Sequence, residues 1–404
     1  MRLALAITAI ATLMSAAAAG PLSPPPGAPA PTNKTLNQVQ PATPVSAANT
    51  PGDPDAVFRI TQPGAYYLTG PVAVPAGDHG IVIEASNVTL DLNGFPIEGQ
   101  SATTLDGILI DGPVTITNVT VRNGRISDMG GRGVNADFTR NARLESIAVE
   151  DCASDGFYAP GEAGAMLNCH AEECGGDGFL VGNDAVIRDC TSIRNTGDGF
   201  ELEEGVTATR CVARFNDGFG IRGGSNVVIA ECVARGNGAV GISTVGNAVV
   251  VNSVSESHSQ AGFAIGQGSV VRNCAARLSD GDGFFLNTSV HIEGCVALNN
   301  DRHGIAASNG ATIINNICSF NNEGNVNGAG ISVTGTANRI DSNTTNDQQF
   351  GILVLNEDNL IIRNSAHGNF PNYSIDPDAT FGQIISTFLG GQIPTPDPWA
   401  NFEY

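Results

Sequence analysis

The chain has 404 residues and a formal net charge of −21 at pH 7, with 40 Asp and Glu against 19 Lys and Arg. This excess of carboxylates argues against nucleic acid as a partner, because phosphate binding needs clusters of basic side chains. It also disfavours anionic polysaccharides unless cations bridge the two surfaces. Neutral glycans or divalent cations fit the composition better.

The first 19 residues have the pattern of a secretory signal peptide. Arg2 supplies the positive charge, residues 3–14 form the apolar stretch, and the alanines at 17–19 match the small-residue cleavage rule. The apolar stretch is too short for a permanent membrane anchor, and no other stretch is long enough. We therefore expect a secreted or periplasmic protein with no transmembrane segment after signal cleavage.

Residues 20–55 are rich in Pro, Ala, Thr and Asn, with three consecutive prolines at 24–26. This composition is typical of an extended, disordered leader. The single Lys of the chain, Lys34, lies in this segment. The folded part is expected to begin at residue 56.

A repeat of 21 residues dominates the middle of the chain. A Gly followed by Ile or Phe recurs every 21 residues at Gly178, Gly199, Gly220, Gly241, Gly262, Gly283 and Gly304. The same pair continues upstream and downstream at less regular spacing. A fixed period in this range indicates a stack of identical units. Each unit contains short β-branched runs between turn residues and no helical periodicity. The pattern predicts an all-β, single-domain parallel β-helix of about 13 coils over residues 56–370.

Two further columns share the period. Cysteines recur in one register, and we interpret them as a buried column of small apolar side chains: Cys169, Cys190, Cys211, Cys232, Cys274 and Cys295. Asparagines recur four residues before the Gly, and we expect them to shape a turn: Asn195, Asn216, Asn237 and Asn300. Cys152 and Cys174 share another register on adjacent coils. The spacing between adjacent coils is short enough for a disulfide between them, so this alternative stays open.

The ends of a solenoid need covering, because open strands invite end-to-end association. Residues 371–404 contain several large apolar side chains, including Trp399, and we expect them to fold back as a C-terminal cap. An insertion of five residues near 323–328 predicts a protruding loop, which is a second candidate binding surface.

The Cys, Asn and Gly-Ile pattern over residues 60–370 resembles the right-handed parallel β-helix repeat proteins of the pectate-lyase-like superfamily. The segments P-G-A-Y-Y-L-T-G at 63–70 and P-W-A-N-F at 398–402 resemble an exported bacterial group within it. The resemblance implies a right-handed solenoid with capped ends. It leaves function open, because this architecture hosts lyases, hydrolases, epimerases and non-catalytic binders. The Asp-Pro-His-Asp motif of alginate epimerases is absent.

The candidate site is an acidic column one residue before the repeat Gly, formed by Asp155, Asp177 and Asp198 on adjacent coils. Carboxylates about 5 Å apart repel one another by about 1 kcal/mol per pair in water. A bound Ca²⁺ would relieve this repulsion. A retained proton would do the same, and would create an acid/base pair for glycoside cleavage. The alternative is that Asp-Gly forms a turn with solvated side chains.

Arginines at 194, 214 and 235 are the basic candidates. In polysaccharide lyases of the resembled fold, an Arg or Lys abstracts the proton next to a Ca²⁺-bound uronate, so Arg194, Arg214 and Arg235 are catalytic candidates. Solvated salt bridges are the alternative role. We expect an exported carbohydrate-binding or surface-structural protein; a polysaccharide lyase or glycoside hydrolase acting in a groove, and an adhesin-like envelope protein, are the alternatives. No cofactor other than calcium is expected.

Overall fold

A computed structural model describes residues 42–100, 103–322, 328–387, 393 and 397–404. The predicted signal peptide, most of the leader and the insertion at 323–327 lie outside the described residues. The described part of the chain is built from β-strands, and it contains no helix long and apolar enough to span a bilayer.

The first of two large sheets receives one strand from each coil. Sheet 1 has 16 strands, and all but the first pair in parallel. Its strands are Pro51–Asp53, Ala56–Ile60, His79–Ile83, Ile108–Ile110, Val134–Asn135, Phe157–Ala159, Phe179–Val181, Phe200–Leu202, Ile221–Ser225, Ile242–Gly246, Phe263–Gln267, Phe284–Leu286, Ile305–Ala307, Ala329–Val333, Phe350–Val354 and Tyr373–Ile375.

The second sheet receives two strands from most coils and has 30 strands. Sheet 2 contains Thr43–Pro44, Gly64–Tyr67, Val72–Val74, Val88–Asp91, Pro96–Gly99, Thr120–Ser127, Arg143–Glu150, Ala165–Leu167, His170–Glu172, Val186–Arg188, Thr191–Ile193, Thr207–Thr209, Val212–Arg214, Val228–Ala230, Val233–Arg235, Val249–Val251, Val254–Glu256, Val270–Arg272, Ala275–Arg277, His291–Glu293, Val296–Leu298, Thr312–Ile314, Ile317–Ser319, Arg339–Asp341, Thr344–Asn346, Leu360–Ile362, Ser365–His367, Thr380–Phe381, Ile384–Ser386 and Asn401–Glu403. A small third sheet pairs Ile116–Thr117 with Thr139–Arg140.

Residues one repeat apart pair directly. Phe179 pairs with Phe200 in sheet 1, and Thr191 pairs with Val212 in sheet 2. Each coil of 21 residues therefore contributes three short strands, and its neighbour repeats them one strand spacing along the axis. The predicted all-β parallel β-helix is confirmed.

The structure has more coils than the predicted 13. Fifteen parallel strands lie in sheet 1, because Ala56–Ile60 and Tyr373–Ile375 continue the stack although no repeat Gly precedes them. Counting Gly-apolar pairs missed these end coils. Residues 42–55, assigned by sequence to an extended leader, are also ordered where Thr43–Pro44 pairs with Tyr66 and Tyr67.

A left-handed residue bends the chain between the two sheet 2 strands of a coil. Asp189 and Arg210 take this role with φ of 56° and 53°. The next residue is a buried Cys, and its sulfur accepts the backbone N–H of the preceding coil, as between Cys169 N and Cys190 Sγ at 3.4 Å. All nine cysteines are buried and unbridged, so the interpretation of the Cys column is confirmed and Cys152 and Cys174 carry free thiols.

Identical side chains stack inside the solenoid. The rings of Phe157, Phe179 and Phe200 lie parallel, with successive centroids 4.7 and 4.9 Å apart. At the turn before sheet 1, Asn216 Oδ1 accepts from both the backbone N and Nδ2 of Asn195 at 3.0 Å. Asn216 Nδ2 in turn donates to Asn237 Oδ1 at 3.0 Å. The Asn column is a buried hydrogen-bond ladder, as its predicted turn role requires.

Replacing one member of this ladder tests its contribution. Asn216→Ala should lower the free energy of unfolding by about 1–3 kcal/mol, because the buried N–H of Asn195 loses its acceptor. Urea denaturation followed by circular dichroism measures the change. Asn287→Ala is the matched control, since Asn287 is exposed and its side chain accepts from the adjacent Thr288 N–H, a local bond that does not join two coils. Equal unfolding midpoints for the two variants would contradict the role of the ladder.

Candidate functional site

The predicted aspartates lie where the turn enters sheet 1, and each binds the next coil. Asp155 Oδ1 accepts from the backbone N of Asp177 at 2.9 Å, and Asp177 Oδ1 accepts from Asp198 N at 2.6 Å. Asp198 Oδ1 accepts from Phe219 N at 2.8 Å. One oxygen of each carboxylate is therefore used in shaping a turn, which leaves the second oxygen for other partners.

These aspartates border the outward face of sheet 1. In most sheet 1 strands, the second residue after the repeat Gly points away from the core. Some of these outward residues contact the aspartate column: Arg222 Nη1 lies 3.5 Å from Asp198 Oδ2. Together the two columns form one surface, which we call the polar strip. It consists of His79, Asp106, Arg132, Asn135, Asp155, Tyr158, Asp177, Asp198, Glu201 and Arg222.

Arg132 organises the N-terminal half of the strip. Its Nε lies 3.0 Å from Asp155 Oδ2, and its guanidinium carbon lies 3.6 Å from the ring centroid of Tyr158. The backbone N of Arg132 donates to Asp106 Oδ1 at 2.8 Å. The guanidinium is thus held by a carboxylate and an aromatic face, which fixes the positions of both.

Asn135 is the most enclosed polar residue of this half. Its side-chain amide donates to Asp106 Oδ2 at 2.9 Å, and the residue is 9% exposed. Among the described residues, no donor reaches its Oδ1, although this atom is buried. Unpaired buried acceptors are rare in folded proteins and call for a specific explanation.

Asp177 has an unusual protonation equilibrium in the C-terminal half of the strip. Burial raises its pKa to about 7, and the charges of Asp198, Asp155 and Glu201 add to the rise, while the N–H of Asp198 opposes it. Asp198 and Glu201 share a cation instead, since Arg222 Nη1 lies 3.5 Å from the first and 3.3 Å from the second. With a pKa of about 7, Asp177 therefore gains and loses its proton around neutral pH.

Two of the three arginines singled out by sequence pair with other carboxylates. Arg194 binds Glu172 and Glu173 at the corner where sheet 2 ends. Arg235 Nη2 lies 3.7 Å from Glu256, and Arg214 is its exposed neighbour on the adjacent strand of sheet 2. The structure brings Arg132 and Arg222 to the aspartates instead. Arg132 occupies the aspartate register itself, directly before Gly133. Arg222 occupies the outward register, two residues after Gly220. Sequence reasoning missed both because it followed only the acidic residues of the first register and arginines of other registers.

A second group of carboxylates lies at that corner. Arg194 and Glu173 line a cleft of about 590 Å³ together with Asp128, Asp151 and Cys152. Burial raises the pKa of Asp151, and the charges of Glu173 and Asp128 act in the same direction. The shared left-handed backbone of Asp128, Asp151 and Glu173, with φ between 55° and 58°, marks their common register.

Calcium at Asp155, Asp177 and Asp198 stays a prediction. Ca²⁺ takes six to eight oxygen ligands. Each of these carboxylates has committed one oxygen to a backbone N–H, and the described residues contain no group of three or more His, Cys, Asp or Glu placed to hold a metal ion. The column therefore lacks a ready-made coordination set.

The strip ends abruptly along the solenoid. In the aspartate register, Asp198 is followed by Phe219, Val240 and Ala261. A smaller polar group returns further on, where Arg302 Nη1 lies 3.4 Å from Asp282 Oδ2. Turn formation therefore tolerates apolar residues at this register, so the fold alone does not require aspartates there.

Comparison with known families agrees with this architecture. Residues 74–210 and 203–333 match the family model described as right handed beta helix region. The match spans more than half of the chain, so the chain belongs to the right-handed β-helix family. The solenoid is therefore right-handed, as the resemblance to the pectate-lyase-like superfamily implies. A search of curated protein sequences found no match.

Solved structures with the same fold include three epimerase structures. The A-module of Azotobacter vinelandii mannuronan C-5 epimerase AlgE6 is 16% identical, covers 75% of this chain and 90% of its own, and gives a TM-score of 0.52. The A-module of AlgE4 from the same organism is 15% identical, with 67% and 89% covered and a TM-score of 0.51. The periplasmic alginate epimerase AlgG is 11% identical, with 68% and 79% covered and a TM-score of 0.52. At these identities the likeness establishes the fold alone.

The raised pKa of Asp177 predicts a pH dependence of stability. The folded state holds this proton more tightly than the unfolded chain, in which the pKa of Asp177 is near 3.8. The stability that the bound proton contributes is therefore lost as the pH rises from about 4 to about 7. Between pH 4 and 8, the wild type should lose about 2 kcal/mol relative to Asp177→Asn. This is half of what the full shift gives, since the group is partly solvated.

Urea denaturation at the two pH values measures this difference. Asp184→Asn is the control, because Asp184 is exposed on the neighbouring turn. If wild type and Asp177→Asn show the same pH dependence, Asp177 does not carry the shifted proton.

Proposed function

We propose that this chain is a secreted or periplasmic protein that binds an extended glycan along the polar strip of sheet 1. The observation that carries the proposal is the concentration of carboxylates, arginines and a tyrosine on consecutive coils of one outward face. The equivalent positions further along the solenoid are Ser243, Ala264 and Phe285. A site built on paired strands holds its side chains rigidly, which favours recognition.

A glycan fits this surface better than other macromolecules. Neighbouring coils lie about 4.8 Å apart, close to the length of one sugar residue in an extended chain. Carboxylates and Asn135 accept from sugar hydroxyls, while arginines donate to them. The net charge of −21 disfavours nucleic acid. The epimerases that share the fold are named for acting on alginate or mannuronan, so this architecture accommodates polysaccharide chains.

A second candidate function is glycoside cleavage on the same strip. Asp177 has a pKa of about 7 and is flanked by carboxylates on both neighbouring coils. Carboxyl groups about 5–5.5 Å apart, one of them protonated, are the acid and nucleophile of retaining glycoside hydrolases. In this role Asp177 would protonate the leaving oxygen, and Asp155 or Asp198 would attack the anomeric carbon.

Binding is tested by truncating the aromatic residue of the strip. Tyr158→Ala should weaken binding to a glycan found on an array about tenfold, because the sugar loses an aromatic contact and Arg132 loses its support. Isothermal titration with the full chain measures the affinity. Phe285→Ala is the matched control, since Phe285 occupies the same strand position on a distant coil and presents an exposed aromatic ring there. Equal losses of affinity in both variants would argue against the polar strip as the glycan-binding site.

Catalysis is tested by product analysis on neutral and uronate polysaccharides with mass spectrometry. If the chain cleaves one of them, Asp177→Asn should lower kcat at least 100-fold, because proton transfer by a positioned acid contributes about that much. Asp282→Asn is the control, since Asp282 holds the same register outside the strip. Full activity in Asp177→Asn would remove this residue from the mechanism, and absence of any product leaves binding as the function.

A further inference from the structure

The polar strip is rich in hydrogen-bond acceptors and poor in free donors. Arg132 is engaged by Asp155 and the Tyr158 ring, and Arg222 lies between Asp198 and Glu201. Two arginines therefore face five carboxylates, which are Asp106, Asp155, Asp177, Asp198 and Glu201. The strip keeps negative charge and unused acceptor oxygens.

Asp177 is the carboxyl with the least compensation. Within the described residues it has no ion pair, and the bond recorded for its side chain is the one from Asp198 N–H to Oδ1. Its ionised form is disfavoured both by burial and by the charges of Asp155 and Asp198. A cation beside Asp177 would relieve this repulsion.

Asn135 gives independent evidence that the strip, as the structure describes it, lacks a hydrogen-bond donor. Its Oδ1 is buried without a donor in the part of the chain that the structure describes, while its Nδ2 is already bound to Asp106. A buried acceptor without a partner costs about 1–3 kcal/mol. This oxygen accepts and cannot donate, so a ligand that completes it must bring an N–H or O–H group.

Resting on the proposed glycan binding, we propose that the polar strip selects a cationic glycan composed of amino sugars. An ammonium group presents three donors and no acceptor, so it complements carboxylates better than a hydroxyl or an acetamide does. The ammonium of one residue pairs with Asp177, and a donor two residues along the glycan meets Asn135 Oδ1, because Asn135 lies two coils from Asp177. A uronate chain would instead add like charge to the strip.

The test compares three probes on the full chain by isothermal titration at pH 6 and low salt: hexamers of β-1,4-linked glucosamine, N-acetylglucosamine and mannuronate. The glucosamine hexamer should bind about tenfold more tightly than the N-acetylglucosamine hexamer, and added salt should reduce the difference. Binding should release protons, seen as heats that differ between buffers of different ionisation enthalpy, because a nearby ammonium lowers the pKa of Asp177.

Substitutions test whether the polar strip is the source of the preference for the glucosamine hexamer. Asp177→Asn should reduce the tenfold preference to about twofold, whereas Asp282→Asn, outside the strip, should retain it. Glu201→Gln is a second strip variant, partly exposed and so tolerant of substitution, and should also reduce the preference. Circular dichroism verifies that each variant is folded.

The outcomes separate the two proposals. Equal affinity for the glucosamine and N-acetylglucosamine hexamers, or tighter binding of mannuronate, overturns the amino-sugar inference and leaves glycan binding standing. A lysine hexapeptide that binds as tightly, with the same dependence on Asp177, overturns the assignment to a glycan. Absence of binding by all three hexamers overturns the amino-sugar inference and counts against glycan binding.

Discussion

In-register parallel pairing is the constraint on which the rest of this molecule depends. Because each coil advances by 21 residues through most of the stack, every side chain sits on its own equivalent in the next coil. Stacking like on like benefits apolar and amide side chains: Phe179 packs flat on Phe157, and Asn195 hydrogen-bonds to Asn216. The same rule penalises charge wherever carboxylates occupy one register on successive coils, as Asp155, Asp177 and Asp198 do.

The aspartate column shows how the fold handles that penalty. Each Asp gives one oxygen to a backbone N–H of the next coil, so the carboxylates are held by the turn. Arg132 and Arg222 neutralise the column at two levels. Asp177, between them, has no cation among the described residues, and its raised pKa is the residual cost. In the proposed function, this repulsion is what a cationic ligand would relieve.

At the buried corner of sheet 2, each coil needs an acceptor for a backbone N–H of the preceding coil, and two kinds of side chain provide it. Toward the N-terminal side, a Cys sulfur accepts the N–H of the preceding coil. Toward the C-terminal side an Asn takes over the same register, where Cys295 N donates to Asn316 Oδ1 and Asn316 N donates to Asn343 Oδ1. Thiol and amide are interchangeable here because the site needs a small acceptor. The cysteines therefore serve the backbone, and their number requires no disulfide framework.

The sequence by itself determined the solenoid. A period of 21 residues and the Phe and Asn columns specify stacked coils, because in-register pairing makes spacing along the chain equal to adjacency in space. It also located the aspartates Asp155, Asp177 and Asp198. The tertiary structure alone decided their partners: Arg132 lies in the aspartate register and Arg222 in the outward register beside it, and whether either guanidinium reaches an aspartate depends on side-chain direction. It likewise added the end coils, whose strands lack the repeat glycine and are defined only by pairing with a neighbour.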